Sequence, residues 1–157
     1  MWLPIAVEHH LRRADHRGRQ SPILVIIDRA LRDEGTSYHY AAPSDYSEAD
    51  ARLVATALAA LKAKGLDAIV GSSWTTDAPF RETAEAIEAA QSKGVLAVEM
   101  EAAALYAFAK STGARVLCLA HVTNTMGRMG EDFEKGEADG TRDALQILET
   151  IVRSIEV

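Results

Sequence analysis

Residues 94–105 read GVLAVEMEAAAL, a strand-like run followed directly by a helix-like run. The apolar residues Val95 to Val98 are typical of a buried strand. From Ala102 the sequence is rich in alanine, the residue that favours the helix most strongly. Glu99 and Glu101 stand at the junction, with one methionine between them. The stretch therefore predicts one β–α unit with two acids at the carboxyl end of its strand.

The same alternation of strands and helices continues on both sides of this unit. Apolar, β-branched runs predict strands at Ile23 to Ile27, Ala68 to Val70, Val95 to Val98 and Val116 to Val122. Capping residues and helical spacing predict helices that begin at Ser47, Thr83 and Ala102 and end at Gly65, Gly94 and Gly113. The pattern predicts an α/β fold in three layers, a largely parallel sheet with flanking helices.

Ligands of such sheets bind beyond the carboxyl ends of the strands. We expect three strand ends to meet there, at Val70-Gly71-Ser72, Val98-Glu99-Met100 and Val122-Thr123-Asn124. The candidate functional residues below fall at or near these ends. This coincidence supports a site at that edge of the sheet.

The C-terminal part is predicted to form a loop and a final helix. Between Thr125 and Gly140 the chain has four glycines and five acids, so it reads as a loop. Two interpretations of this loop stay open, a lid over a substrate and a plain surface loop. The final helix is predicted to bury one apolar face, formed by Ala144, Leu145, Leu148, Ile151, Val152 and Ile155.

The composition is that of one ordinary globular domain. The chain has 157 residues, 48% of them apolar and 25% charged. The net charge of -6 argues against nucleic acid as a partner. No apolar run reaches the ~20 residues that span a membrane. The short apolar start, Met1 to Val7, lacks the charge order of a signal peptide, so we expect a cytoplasmic location.

Cysteine and histidine usage gives no sign of a disulfide or a metal site. Cys118 is the only cysteine, and its apolar neighbours predict a buried, inert thiol rather than a nucleophile. None of the five histidines has metal-ligand spacing to a cysteine or a second histidine. We therefore expect no metal.

The two acids of the central stretch suit a sugar. If the chain is extended from Val95 to Met100, Glu99 and Glu101 lie on one face and Met100 points away. Carboxylates accept hydrogen bonds at several lone pairs, and a ribose offers two neighbouring hydroxyls. The alternative is that the acids only favour the positive end of the following helix. The spacing alone does not separate these two readings.

Three segments resemble the purine nucleoside and uridine phosphorylase family in order and spacing. They are Asp33 to Tyr40 (DEGTSYHY), Thr75 to Thr83 (TTDAPFRET) and Val98 to Leu105 (VEMEAAAL), and the resemblance extends from Ile23 to Val157. It implies a phosphorylase-like fold and a homo-oligomer. It also implies phosphate-dependent cleavage of the N-glycosidic bond of a nucleoside, with phosphate as co-substrate and no other cofactor.

The resemblance assigns roles to the acidic stretch. In the family the second glutamate of the Glu-Met-Glu run binds the ribose hydroxyls, and the methionine packs on the sugar. This reading carries over to Glu101 and Met100. Glu99, on the predicted shared face, completes the set of ribose-binding candidates.

The second segment supplies the base-binding candidates Thr75, Thr76, Phe80 and Arg81. Phe80 offers an aromatic face on which a nucleobase can stack, and Arg81 can donate hydrogen bonds to a base carbonyl. The alternative is a plain turn around Pro79, with Arg81 paired to a neighbouring glutamate in solvent. Without the resemblance, the residues themselves favour the turn.

Asn124 and Arg81 are the catalytic candidates. In purine-selective members of the family an aspartate in a Ser-Asp pair acts as general acid toward the purine N7. This chain has Thr123-Asn124 instead, and an amide hydrogen-bonds but cannot donate a catalytic proton. Uridine phosphorylases are similar in carrying asparagine here, so the sequence favours a uridine-type substrate over a purine. The alternative for Asn124 is simple hydrogen bonding at a strand end.

The first 22 residues do not resemble the family. Family members carry a glycine-rich loop that presents backbone N–H groups to phosphate, and no Gly-Ser-x-Gly-Gly-like run precedes Ile23. We therefore predict an unrelated or disordered leader at 1–22 and, at 23–157, an incomplete copy of the fold that matches the C-terminal half. Three hypotheses follow: a phosphorylase, a weak or inactive truncated homologue that binds nucleoside or assembles as an oligomer, and a nucleosidase that uses water.

Overall fold

The computed structural model describes residues 5–6, 23–122, 124–125 and 141–155. The strands are β1 (Ile5–Ala6), β2 (Ile23–Asp33), β3 (Tyr46–Glu48), β4 (Ile69–Thr76), β5 (Val95–Glu99), β6 (Leu119–Val122) and β7 (Asn124–Thr125). The helices are α1 (Ala51–Ala63), α2 (Ala84–Ser92), α3 (Ala102–Thr112) and α4 (Thr141–Ile155), with 3-10 turns at Thr36–His39 and Pro79–Arg81. No helix in these ranges is long and apolar enough to cross a bilayer.

The centre of the sheet is parallel, and the pairings around it are antiparallel except that of β1 with β7. β4 pairs in parallel with both β2 and β5. The long strand β2 also pairs antiparallel with β6 along its first half and with β3 along its second half. β1 joins β5 antiparallel and β7 in parallel. β6, paired with β2, and β7, paired with β1, are separated by one residue in the sequence. The predicted largely parallel sheet is confirmed at β2–β4–β5.

Helices cover both faces of the sheet, so the predicted three-layer arrangement is confirmed. Along β2, Leu24 and Ile26 pack with Val54 and Leu61 of α1 and with Ile151 of α4. The alternate residues of β2, Val25 and Ile27, pack on the other side with the alanines and Tyr106 of α3. Side chains of one strand thus point alternately into two cores. α2 covers a third apolar cluster around Trp74 and Val98.

The first helix begins three residues later than the sequence predicted. Asp50 is the N-cap, and its Oδ1 accepts from the backbone N–H of Arg52 at 2.7 Å and of Leu53 at 3.2 Å. Ser47, the predicted N-cap, lies in β3 opposite Ala30 of β2. The prediction of Ser47 was wrong because pairing with β2 keeps Tyr46–Glu48 extended. The glycine at the end, Gly65, has a φ of +69° as expected of a helix stop.

Gly71 does not end its strand, as the sequence had suggested. β4 continues through it to Thr76, because the glycine allows a close approach to β5. A Cβ on Gly71 would lie 2.2 Å from Cδ1 of Leu96. The strand end predicted at Val70-Gly71-Ser72 was therefore wrong. β5 ends at Glu99, so Met100 is not extended as assumed, and β6 begins at Leu119 rather than Val116.

The final helix exists where the sequence placed it, but its buried face differs. Ile147 and Ile151 are buried against α1, whereas Leu145, Leu148 and Val152 are exposed. The apolar arc of α4 is wider than the surface that α1 offers, so part of it faces outward. The loop predicted up to Gly140 lies, beyond Thr125, outside the described residues, as does the predicted leader apart from Ile5–Ala6.

Candidate active site

A cavity of about 350 Å³ opens at the carboxyl end of β5 and the start of α3. This volume falls in the ordinary range of small-molecule sites. Its lining comes from β2, β5, α3, the Pro79 turn and the chain that leads into β6. The described residues that line it are Ile27, Pro79, Glu82, Val98, Glu99, Met100, Glu101, Ala102, Leu105, Leu117, Cys118, Leu119 and Ala120. The structure therefore brings all three predicted ribose-binding residues to one cavity.

The Glu99 carboxylate is held by four donors from two elements, β4 and the start of α3. Its Oε1 accepts from the hydroxyls of Ser73 at 2.9 Å and Thr75 at 2.5 Å, both on β4. Its Oε2 accepts from the backbone N–H groups of Glu101 at 2.7 Å and Ala102 at 2.6 Å. A carboxylate at the start of a helix satisfies N–H groups that have no partner within the helix. Glu99 thus fastens β4 and β5 to the first turn of α3.

Glu101 differs from Glu99 in its surroundings. It occupies the N-cap position of α3, and its side chain is exposed at the cavity. Among the described residues, its one donor is the backbone N–H of Met100, 3.2 Å from Oε2. The Glu101 carboxylate is therefore accessible to hydroxyl donors of a ligand. Met100 lies beside it and is partly buried.

The Thr75–Thr83 segment reaches the cavity through residues other than the predicted ones. Thr75 and Thr76 are buried, with 0% and 2% exposure. Thr75 donates to Glu99, and its Oγ1 accepts from the backbone N–H of Ala103 at 3.0 Å. Thr76 Oγ1 accepts from the backbone N–H of Ala78 at 3.1 Å. The two threonine hydroxyls thus serve the protein's own backbone and the Glu99 carboxylate.

The two larger base-binding candidates lie outside the cavity lining. Phe80 is 91% exposed, and Arg81 is also exposed. Their neighbours Pro79 and Glu82 line the cavity instead. Burial raises the pKa of the Glu82 carboxyl above its usual value. Sequence reasoning missed Glu82 as a site residue, although it follows Arg81 directly in a motif already singled out.

The other resembling segment supports the same region. The backbone N–H of Gly35 donates to Asp77 Oδ2 at 3.1 Å. Asp33 Oδ2 accepts from the indole N–H of Trp74 at 2.9 Å, and its carbonyl accepts from the Asp77 N–H at 3.4 Å. The Asp33–Tyr40 and Thr75–Thr83 segments, far apart in sequence, are thus joined next to the site.

Cys118 lines the cavity, and its surroundings favour the protonated thiol. Burial raises its pKa to about 12, so it stays protonated at neutral pH. The Tyr106 hydroxyl donates to the Ile27 carbonyl at 2.6 Å and accepts from the Cys118 N–H at 3.0 Å. The raised pKa agrees with the predicted inert thiol, although Cys118 is partly rather than fully buried. Within the described ranges, no group of three or more His, Cys, Asp or Glu side chains is arranged to hold a metal.

Asn124 lies in β7, where its backbone pairs with Ile5 of β1. Its side chain lies outside the described residues, so its predicted contact with the base stays a prediction. The charge of the described cavity lining is better defined. That lining includes the carboxyls of Glu82, Glu99 and Glu101 and has no lysine, arginine or histidine.

Comparison with known proteins agrees with the three motifs. Residues 20–153 match the phosphorylase superfamily, and this range contains the described cavity lining. The chain is also similar to a purine nucleoside phosphorylase DeoD-type from Shewanella amazonensis, with 33% identity over 109 residues. The aligned region covers 69% of this chain and 44% of that relative, so the chain spans less than half of the relative's length. The chain belongs to the phosphorylase superfamily, as the resemblance of its motifs to nucleoside phosphorylases implied.

Proposed function

We propose that the chain binds a nucleoside in this cavity and cleaves its N-glycosidic bond by phosphorolysis. Phosphate would be the co-substrate, and no other cofactor is needed. The observation that carries the proposal is the placement of Met100 and the accessible Glu101 carboxylate at one cavity, in a member of the phosphorylase superfamily. In this reaction phosphate oxygen bonds to C1′ while the bond from C1′ to the base breaks, which yields ribose 1-phosphate and the free base.

Glu101 and Met100 would hold the sugar. The Glu101 carboxylate accepts hydrogen bonds from the ribose hydroxyls, and the Met100 side chain packs on the sugar ring. Positive charge develops on the ribose as the bond to the base breaks, and nearby carboxylates stabilise that charge. The acidic lining formed by Glu82, Glu99 and Glu101 suits this step.

The base would lie toward the Pro79 turn. Glu82 can accept a hydrogen bond from a ring N–H of the base, and Phe80 and Arg81 would contact the base at the rim beside Pro79. Asn124 and Arg81 are the proposed catalytic residues, since both can hydrogen-bond to a base that takes up electrons. The amide of Asn124 supports a uridine-type substrate, with a purine as the alternative.

A second candidate function is nucleoside binding with weak or no phosphorolysis. The observation that favours it is the charge of the described lining, which has three acidic side chains and no cationic one. An anion in such a cavity is repelled unless cations from elsewhere offset the carboxylates. This candidate predicts nucleoside affinity without efficient use of phosphate. A nucleosidase is the third candidate, because water needs no cationic site.

We also propose that the chain forms a homo-oligomer. Its exposed apolar residues support this, among them Leu145, Leu148 and Val152 on α4. Light scattering of the purified chain measures its mass directly. A monodisperse monomer at micromolar concentration would contradict the proposal.

Product analysis separates the three candidates. The chain is incubated with uridine or inosine, with and without phosphate, and free base, ribose and ribose 1-phosphate are followed by chromatography. If the chain is a phosphorylase, free base and ribose 1-phosphate should appear, and only in the samples that contain phosphate. Base and free ribose without phosphate identify a nucleosidase. If the chain binds nucleoside saturably but forms no product, it is the weak homologue. If it forms no product and binds no nucleoside, the proposal of a nucleoside site is contradicted.

Two comparisons sharpen this assay. Glu101→Gln should lower the activity at subsaturating nucleoside about ten- to a hundredfold, whereas the matched surface variant Glu88→Gln should keep the wild-type activity. Equal concentrations of uridine and inosine in one reaction test the substrate preference. Faster loss of inosine would refute the preference for uridine.

A further inference from the structure

The two glutamates at the cavity have different hydrogen-bonding states. Glu99 accepts four hydrogen bonds from described residues, two at each carboxylate oxygen. An ionised carboxylate has about four lone-pair sites, so these donors fill its capacity. A ribose hydroxyl could bind Glu99 only by displacing one of them. Glu101, by contrast, is exposed and accepts one such bond, from Met100.

We propose that Glu99 is a positioning residue that acts on the ligand through Glu101. Its Oε2 holds the backbone N–H groups of Glu101 and Ala102, which fixes where the Glu101 side chain leaves the main chain. The geometric part of this inference, the hold of Glu99 on the two N–H groups, concerns the protein without a ligand. Its consequence for ribose binding rests on the proposed function.

Thr75 makes the same connection from the neighbouring strand. Its hydroxyl donates to Glu99 and accepts from the backbone N–H of Ala103, so it ties β4 to α3 in two ways. Ser73 donates to the same carboxylate oxygen. Both side chains are 0% exposed and absent from the cavity lining, so they affect a ligand only through Glu99 and α3.

The positioning role does not require a negative charge. A glutamine at 99 can keep its carbonyl oxygen toward the two backbone N–H groups and its amide toward the hydroxyls of Ser73 and Thr75, which can rotate to accept. An alanine at 99 leaves those donors without their acceptor. Glu99→Gln should therefore keep the amide protection and the nucleoside affinity closer to those of the wild type than Glu99→Ala does. A direct charged contact with ribose predicts a large loss for both.

The first test needs no ligand. Amide hydrogen exchange by NMR reports whether Glu99 protects the N–H groups of Glu101 and Ala102. We expect Glu99→Ala to speed exchange at these two amides about tenfold or more, since each loses its hydrogen bond to the Glu99 side chain. Glu99→Gln should keep both rates closer to those of the wild type than Glu99→Ala does, and the surface control Glu88→Ala should leave them unchanged. Unchanged rates in a folded Glu99→Ala protein would overturn the inference.

The second test is a double-mutant cycle on nucleoside affinity. If Glu99 acts through Glu101, Glu99→Ala weakens uridine or inosine binding about tenfold, but adds nothing in the Glu101→Gln background. Full additivity would show that Glu99 touches the ligand itself, and would overturn the inference. A wild type that binds no nucleoside would refute the proposed function, and the exchange rates would then decide the positioning role alone.

If Glu99→Ala does not fold, Thr75→Val takes its place in the double-mutant cycle. Valine keeps the shape of threonine but removes the hydroxyl, so we expect weaker affinity with the same non-additivity toward Glu101→Gln. Thr75→Ser keeps the hydroxyl and should restore the affinity. A Thr75→Val protein with the affinity of the wild type would contradict the proposed connection from β4.

Discussion

Replacing Tyr106 by phenylalanine should destabilise the protein strongly. Tyr106 is 2% exposed, and its hydroxyl bridges the Ile27 carbonyl and the Cys118 N–H, at 2.6 and 3.0 Å. Phenylalanine keeps the ring but leaves the buried Ile27 carbonyl and the part-buried Cys118 N–H without their partner. A fully buried group left so costs about 1–3 kcal/mol and a part-buried one less, so we expect a total loss of about 2–4 kcal/mol in the free energy of unfolding.

This loss is large beside the ~5–15 kcal/mol by which most domains are stable. For a chain of this length it corresponds to a fall in Tm of roughly 5–15 °C. Urea unfolding followed by circular dichroism measures the free energy, and calorimetry measures the Tm. Tyr38→Phe is the matched control, because Tyr38 is 47% exposed and its ring keeps its place over Arg32. It should stay within about 0.5 kcal/mol of the wild type.

The result that would refute the reasoning is equally specific. If Tyr106→Phe unfolds at the same urea concentration as Tyr38→Phe, with the same slope, the bridging hydroxyl contributes nothing to stability. The junction of β2 with the chain that enters β6 would then be held by other contacts. One of these is the bond from the Ile27 N–H to the Cys118 carbonyl, 3.1 Å long.

Three further predictions concern pH and local structure. Burial raises the pKa of Cys118 from 9.0 to about 12, so the folded state keeps a proton that the unfolded state loses. The contribution of this proton to stability is therefore complete below pH 9. Above pH 9 the free energy of unfolding falls by about 1.4 kcal/mol per pH unit. Cys118→Ala should reduce this slope in urea titrations at alkaline pH. Gly71→Ala should cost about 1–3 kcal/mol, because its Cβ would meet Leu96, and Leu96→Ala should recover part of the loss in thermal unfolding. Asp50→Ala should cost about 1 kcal/mol as the loss of an N-cap, whereas an unchanged Tm would contradict that cap.

The elements that repeat a local pattern could be predicted from the sequence. The apolar spacing of Leu53, Val54, Ala57 and Leu61 predicted α1, and these four residues are buried. Glycines at 65, 94 and 113 marked helix ends, and all three have positive φ. The run up to Val98 and the alanines from Ala102 likewise placed β5, α3 and the cavity between them.

Features that depend on distant residues could not be read locally. Gly71 was predicted to end a strand. Glycine is needed there because a side chain would collide with Leu96 on the neighbouring strand. Glu99 looked like a ribose ligand on the same face as Glu101, yet its donors Ser73 and Thr75 lie 26 and 24 residues away. Ser47 looked like a cap because the pattern does not show that β3 pairs with β2. For Gly71 and Ser47 a tertiary contact overrides a sound local signal, and for Glu99 it adds donors that the local sequence does not show.

The placement of the base-binding candidates shows the same limit. The motif drew attention to Phe80 and Arg81, but the turn at Pro79–Arg81 directs Pro79 and Glu82 to the cavity lining. Composition cannot tell which residues of a tight turn face inward. Asp77, which precedes the turn, is itself held by Gly35 and Asp33, which are distant in the sequence.

The central claim is that Glu101 binds the ribose of a nucleoside in this cavity, and calorimetric titration tests it most directly. Wild type and Glu88→Gln should bind uridine or inosine with equal affinity, whereas Glu101→Gln should bind about ten- to a hundredfold more weakly. With a 2′,3′-dideoxynucleoside, which lacks the ribose hydroxyls, all three proteins should bind alike. A folded Glu101→Gln protein that binds the ribonucleoside as tightly as the wild type would contradict the claim.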